Sequence, residues 1–235
     1  VAFDPASDLL TPTFKGEINN QNIHGEAAVD YLIVTHPDFL EQANRLAKLH
    51  QIHNELSTLV VTTDMVYNEF SSGQPDITAI RMLAKMFYDR AGNDASKMPK
   101  YLLLFGDGSF DNRTTSPYNR ILTFQSDNSI HKSESYVSDD YFGHLDDNEG
   151  SNPQYNSLDI GIGRLPVSTI AQAVNAVNKI ENYLTGQSNT EWRTRITFVG
   201  DDGDSNTHMQ QADQLATKVN NTHQGFDIKK IYYDA

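Results

Sequence analysis

Apolar residues in this chain follow two alternating rhythms. Tyr31–Val34 is a short, β-branched run ending at Thr35-His36-Pro37-Asp38, where proline suits the first turn of a helix. Phe39, Ala43, Leu46 and Ala47 then recur at i, i+4, i+7 and i+8, the stripe of a helix. Thr58–Thr62 reads as a second strand, and after Pro75-Asp76 the residues Ile77, Ile80, Ala84 and Phe87 share one helical face. Tyr101–Phe105 is apolar throughout, as expected of a strand covered on both sheet faces. Leu158–Ile162 is the next predicted strand, and Ser168 is placed to cap a helix carrying Ile170, Val174, Val177 and Leu184. Arg195–Val199, a helix with Met209, Ala212, Leu215, Ala216 and Val219, and Asp227–Tyr232 complete the series. Strands alternating with helices predict an α/β fold, a largely parallel sheet with helices on both faces.

Three stretches break the rhythm. Residues 1–30 are polar and turn-rich, with Pro5, Pro12, Gly16 and the amide run Asn19-Asn20-Gln21-Asn22, and read as a lead-in from a preceding domain. Gly106–Ser157 spans about fifty residues without helical periodicity, far beyond a median loop. Short strands are expected there at Ile121–Gln125 and Tyr136–Phe142. The excursion follows the carboxyl end of a strand, where ligands bind in open parallel sheets. Thr185–Thr190 is a polar linker, placing a subdomain boundary near Glu191.

Composition narrows the chemistry. Hydrophobic residues make up 38% and charged residues 21%, enough for a core and too little charge for wholesale disorder. A formal charge of −13 repels phosphate backbones and argues against a nucleic-acid partner. No apolar run approaches the length of a membrane-spanning helix. Cysteine is absent, which removes disulfides, thiolate metal sites and a cysteine nucleophile from this polypeptide. With no initiator methionine and no closing element after Tyr232-Tyr233-Asp234-Ala235, the chain reads as a piece of something longer.

Few residues stand out as chemistry. Asp107 lies between Gly106 and Gly108 directly after an apolar strand, at the lip of the expected crevice; the alternative is a tight turn with the carboxylate on backbone amides. Asp139, Asp140, Asp146, Asp147 and Glu149 cluster as hard-cation ligands do, and calcium is the candidate. Asp201, Asp202 and Asp204 raise the same question, and in both places the alternative is a solvated acidic loop. His50 and His53 share a helical face without a third ligand at zinc spacing. His24, His36, His131, His144, His208 and His223 show no metal-binding or catalytic pattern. Ser109, Ser138 and Ser168 lack the Gly-x-Ser-x-Gly elbow of hydrolase serines.

Taken as whole motifs, these residues carry a resemblance. Tyr67–Asp76, Lys85–Ala91, Tyr101–Arg113, Tyr136–Gly143, Leu145–Gly150, Leu158–Pro166 and Ile196–Asp204 with His208-Met209, in that order, resemble the gingipain-type cysteine peptidases. The likeness runs from about Gly16 onward and is greatest to the members that serve as sortases of the bacterial type IX secretion system. It implies a caspase-like α/β fold of two side-by-side subdomains. Residues 31–190 would be the first, and 191–235 the opening β-α-β of the second, incomplete one. The family's catalytic histidine and cysteine come later, so the resemblance assigns no catalytic role in this chain and implies that it is inactive alone. Gingipains that cut after arginine hold the guanidinium with an acidic residue near the start of the helix matching Thr207–Asn220. Here the stretch reads Ser205-Asn206-Thr207-His208-Met209, which disfavours arginine specificity and leaves His208 as the neighbourhood of any substrate pocket.

For the whole protein the resemblance implies removal of carboxy-terminal sorting domains from exported cargo and transfer of the cargo to anionic lipopolysaccharide. It implies an outer-membrane β-barrel anchor as partner, a cell-surface location reached through the periplasm, and no required cofactor. A plain gingipain-like endopeptidase, with water as acceptor, is the first alternative. A non-catalytic α/β domain binding calcium or a protein partner is the second.

Overall fold

The computed structural model describes residues 11, 13–14, 16–114, 116–127, 130–131, 134–150, 156–186 and 190–233. Pro5 and Pro12 of the lead-in, and Gln187–Asn189 at the centre of the expected linker, lie outside the described residues. The chain falls into two compact units, Val1–Val177 and Asn178–Ala235.

In the first unit, β1 (Tyr31–Thr35), β2 (Thr58–Thr62), β3 (Tyr101–Phe105) and β6 (Gly161–Leu165) form a parallel sheet in the order β2-β1-β3-β6. The central strands β1 and β3 are buried from their second residue onward. Side chains alternate between faces. Leu32, Val34, Leu102 and Leu104 point into one core with Val66 of α2 (Thr63–Phe70) and Ile80, Leu83, Ala84 and Phe87 of α3 (Ile77–Ala91). Ile33, Leu103 and Phe105 face the other way, toward the side of α1 (Leu40–Asn54). There Phe39, at the start of that helix, packs its ring 6.1 Å from that of Phe105. Helices therefore cover both faces, as the apolar pattern predicts.

Local chemistry sets the helix ends. His36 Nδ1 accepts from the Asp38 N–H ahead of α1, and Asp76 accepts from the Thr78 N–H at the start of α3. Ile23, 2% exposed, plugs the core from the lead-in segment. Five hydrogen bonds from Gln21, Ile23 and His24 converge near it, four of them on the carboxylate of Glu69 and one on the carbonyl of Met65.

Four expectations need correction. The helix α2 was not anticipated, because it leaves β2 with no intervening loop: Thr62 ends the strand and its hydroxyl caps Met65 N–H. The strand expected at Leu158–Ile162 pairs instead over Gly161–Leu165. Gly161 lies opposite Tyr101, whose ring sits 2.9 Å from where a Cβ would stand, so this register needs a glycine. The strands expected at Ile121–Gln125 and Tyr136–Phe142 shrink to β4 (Phe124–Gln125) and β5 (Val137–Ser138), an antiparallel pair, and Asp140–Gly143 is a 3-10 turn. The cap of α4 (Ile170–Leu184) is Thr169 rather than Ser168. Its hydroxyl accepts from Gln172 N–H while Gln172 Oε1 accepts from Thr169 N–H, a capping box.

The second unit holds β7 (Arg195–Asp201), α5 (Gly203–Thr222) and β8 (Asp227–Tyr233), with β7 and β8 parallel. Ala212 and Ala216 of α5 are buried, whereas Ile196, Phe198, Ile228 and Ile231 are only half-buried. The first turn of α5 is irregular: Asp204, Ser205 and Asn206 are all left-handed, with φ of 51°, 60° and 65°.

Candidate functional site

The carboxyl ends of β1, β3 and β6 meet in a polar network. Asp107 follows β3 and acts as its joint. One carboxylate oxygen accepts from Gly108 N–H at 2.9 Å and the other from the Ser168 hydroxyl at 3.0 Å. Its carbonyl accepts from both Arg120 N–H and Ile121 N–H, and its own N–H donates to Val167. A Cβ at position 108 would stand 2.5 Å from Thr123 Cγ2 and 2.9 Å from the Ile121 carbonyl, so only glycine lets the two chains pass.

Two arginines organise the long excursion against this edge. Arg164, on β6 with a 12% exposed side chain, holds Asp139 through two bonds of 2.8 Å and donates to the carbonyls of Gly106, Ile121 and Leu122. Arg120 donates to Asp38 at 2.9 Å and to the Ser168 carbonyl at 3.0 Å, with its guanidinium 3.5 Å from His36 Nε2. Burial, then the Arg120 charge, holds the His36 pKa below its ordinary value against the pull of Asp38 and Asp64. Beyond the edge, a groove of ≈ 790 Å³ opens beside Phe110, Asp111, Arg113, Gln125, Tyr136 and Val137.

The acidic candidates separate. Asp139 is committed to Arg164, and Asp147 pairs with Lys85 at 2.9 Å. The Asp140 N–H bonds to Ser138 Oγ and the residue is exposed. Asp146 and Glu149 do come together, and the residue that joins them is Asp159, which the sequence pattern did not single out. Ligand atoms of these three lie within 4.8 Å of one another, and among the described residues no other acidic or histidine group does so. Tyr88 donates to Asp146 at 3.0 Å, and Asp159 accepts from Leu145 N–H at 2.7 Å. The bond to Asp146, then burial, pushes the Tyr88 pKa up to about 12. Lys85 and Arg81 on α3 also donate to the carbonyls of Leu145, His144 and Glu149, so α3 holds the acidic loop to the core.

At the start of α5, Asp201, Asp202 and Asp204 form no such cluster among the described residues. Asp204 instead lies 3.2 Å from His208 Nε2, and both side chains are exposed. A neighbouring pocket of ≈ 560 Å³ is lined by Asn206, Met209, Gln210, Asp213, Gln214 and Tyr232. Asp213 there is the carboxylate that sequence reading missed. It pairs with Lys230 at 2.5 Å and accepts from Tyr232 at 3.0 Å, and these bonds hold its pKa below the usual carboxylate range. Its signal, a residue one helical turn beyond Met209 on the same face, exists in the sequence but has no partner nearby to mark it.

A parallel sheet that gathers its polar groups at the carboxyl edge, followed in the chain by a β-α-β unit, is an α/β scaffold of the kind that carries ligand sites at its strand ends. The sequence profile of Peptidase family C25 matches residues 24–235, and the chain belongs to that family of cysteine peptidases. Among solved structures it is similar to dimeric latent PorU from Porphyromonas gingivalis, with 41% identity and a TM-score of 0.67. That match covers 77% of this chain and 18% of the PorU chain. It is also similar in fold to the arginine-specific cysteine proteinase gingipain R, with 13% identity, a TM-score of 0.59, and coverage of 91% of this chain and 43% of that one. The complex of the pro- and mature domains of RgpB from Porphyromonas gingivalis matches at 17% identity and a TM-score of 0.54, over 86% and 41% of the two chains. No curated protein matches. The chain thus spans about a fifth of the PorU chain and less than half of the gingipain chains. These matches fix the caspase-like, gingipain-like fold.

Proposed function

We propose that the protein to which this chain belongs is a type IX secretion sortase. It would remove carboxy-terminal sorting domains from exported cargo and join the new carboxyl end to a lipopolysaccharide amine. The observation carrying this reading is the identity to PorU, 41% against 13% for gingipain R. The absence of a carboxylate in Ser205–Met209, where arginine-specific relatives are expected to hold one, also supports it.

In this reading a cysteine thiolate attacks the scissile carbonyl, backbone amides hold the oxyanion, and histidine protonates the departing amine. The thioester is then taken by an amine of the acceptor. The chain contains no cysteine, so on this reading the thiol lies in polypeptide outside these 235 residues, the family resemblance puts the base there too, and the first unit serves as scaffold. The proposal places the protein at the cell surface with an outer-membrane β-barrel partner. No described helix is long and apolar enough to cross a membrane. No cofactor is required; calcium enters as a candidate stabiliser of Asp146, Glu149 and Asp159, tested by whether millimolar calcium raises the melting temperature.

The test uses the full-length gene product, a cargo bearing a sorting domain, and a soluble amine. Loss of the sorting domain with amide formation to the amine, abolished by thiol alkylation, is expected. Release of a free carboxylate at every amine concentration would establish the endopeptidase reading, and an unprocessed cargo would remove both. The 235-residue chain alone is expected to turn over neither substrate.

A further inference from the structure

We propose that His36 is a proton-sensitive latch at the carboxyl edge of the first unit, releasing Arg120 and the turn at Ile121 when its ring is protonated. The geometry is a contest for one carboxylate oxygen. Asp38 Oδ2 accepts from Arg120 at 2.9 Å and lies 3.6 Å from His36 Nδ1. A neutral ring has one accepting nitrogen, and two donors address it: Asp38 N–H at Nδ1, 3.2 Å away, and the Arg120 guanidinium at Nε2, 3.5 Å away. Either tautomer accepts from one of them. A protonated ring accepts from neither.

A second proton changes three things together. Both ring nitrogens become donors, and Nδ1 competes for Asp38 Oδ2. Two full positive charges then stand within hydrogen-bonding range in a half-buried site. Arg120, if displaced, keeps the Ser168 carbonyl and the face of the Phe39 ring. The charged groups facing the ring are Asp38 from its own turn, Asp64 from the first turn of α2 and Arg120 from the excursion. The Phe39 ring, with its centroid 5.6 Å away, shields the ring from water. The two acids favour the proton, while burial and then Arg120 oppose it more strongly, so the His36 pKa is held below its ordinary value and the ring is neutral at neutral pH. Because Arg120 N–H and Ile121 N–H both bond to the Asp107 carbonyl, release of the side chain loosens the joint through which β3 meets the excursion.

Hydrogen exchange on the whole chain tests this, read between about pH 8 and about pH 5 after correction for intrinsic rates. In the wild type, protection at Arg120 and Ile121 is expected to fall about tenfold relative to Leu102–Phe105, with a midpoint matching the NMR titration of the His36 ring. His36→Gln keeps an acceptor for Asp38 N–H and cannot be protonated, so its protection should not vary with pH. The same fall in His36→Gln would overturn the latch. So would a ring that titrates without any change at Arg120 and Ile121, or one that never titrates in the range. The wild-type comparison of ring and amide midpoints decides the matter even if the variant does not fold.

Discussion

Replacing Arg164 with methionine would keep much of the side chain's length and remove every donor that it aims into the excursion. Asp139 would be left as a partly buried carboxylate, and the carbonyls of Gly106, Ile121 and Leu122 would lose a partner. Breaking a buried pair from one side costs about 3–5 kcal/mol, and this one is 28% exposed at Asp139, so about 3 kcal/mol is expected. Arg164→Lys should recover only part of that, because an ammonium cannot make the two parallel bonds to Asp139. Urea unfolding reads both, as a lower midpoint at unchanged slope. Acid reads two other carboxylates. The Asp30 pKa is lowered to about 2, first by Lys100 and then by Ser57; for Glu69 burial pulls upward, and the bonds from Ile23, Gln21 and His24 outweigh it to give about 2. Each folded-state value lies below the unfolded one, so the stability that they add is complete above about pH 4.5 and lost as pH falls toward about 2. The Asp30→Asn, Glu69→Gln double variant should be less stable at neutral pH and show a shallower loss in that window. An equal acid slope in the variant would remove these residues from the account. In sequence, Asp139 was visible as one acid among five. Its partner lies 25 residues later, and nothing in one-dimensional spacing pairs the two.

Elements with a clear period were legible, and those set by a contact were not. β1, β3 and α3 announce themselves through unbroken or helical apolar spacing that must be buried wherever the chain goes. The boundary of β6 depends instead on what lies opposite: Gly161 beneath the Tyr101 ring decides the register, while Leu158 and Ile160 attract a strand assignment three residues early. Gly161→Ala should therefore cost about 1–3 kcal/mol by overpacking, more than the same change at Gly163, where a Cβ would meet Leu103 at an ordinary 3.8 Å. Adding Tyr101→Ala to Gly161→Ala should recover much of the loss attributable to the clash, measured as a coupling energy in a double-mutant cycle. Additive effects would mean that the ring does not set the register. The excursion was expected to hold two strands of ordinary length, because Ile121–Gln125 and Tyr136–Phe142 are apolar enough. In the structure Arg164, Asn112 and Thr123 satisfy the backbone with side chains, and ladder pairing survives only over Phe124–Gln125 and Val137–Ser138.

At the scale of the molecule, the two units differ in how much backbone they bury. The first has a four-stranded parallel sheet and a short strand pair, helices on both sheet faces and fully buried central residues such as Leu32, Val34 and Leu104. Among its described residues the second has one strand pair, packed by α5. Its strand residues Ile196, Phe198, Ile228 and Ile231 stay half-buried, and Val199 and Tyr233 are 59% and 63% exposed. A lone strand pair is marginal in water, and covering one face with α5 supplies few fully apolar contacts. Three consecutive left-handed residues at the start of that helix, each costing about 1–2 kcal/mol outside glycine, subtract further. Local opening should therefore cost much less in the second unit than in the first, and amides of Ile228–Tyr232 should exchange well before those of Leu102–Phe105 in the isolated chain. Replacing Asp204, Ser205 and Asn206 with glycine relieves the left-handed penalty and should slow exchange in β8 without altering β3. A polypeptide that adds a strand beside β7 or β8 should slow it more, because each of these strands has one ladder partner among the described residues. Equal and strong protection of both segments, in a dilute chain verified as monomeric, would show that the second unit is a self-sufficient domain and that half-buried strands are enough to hold it.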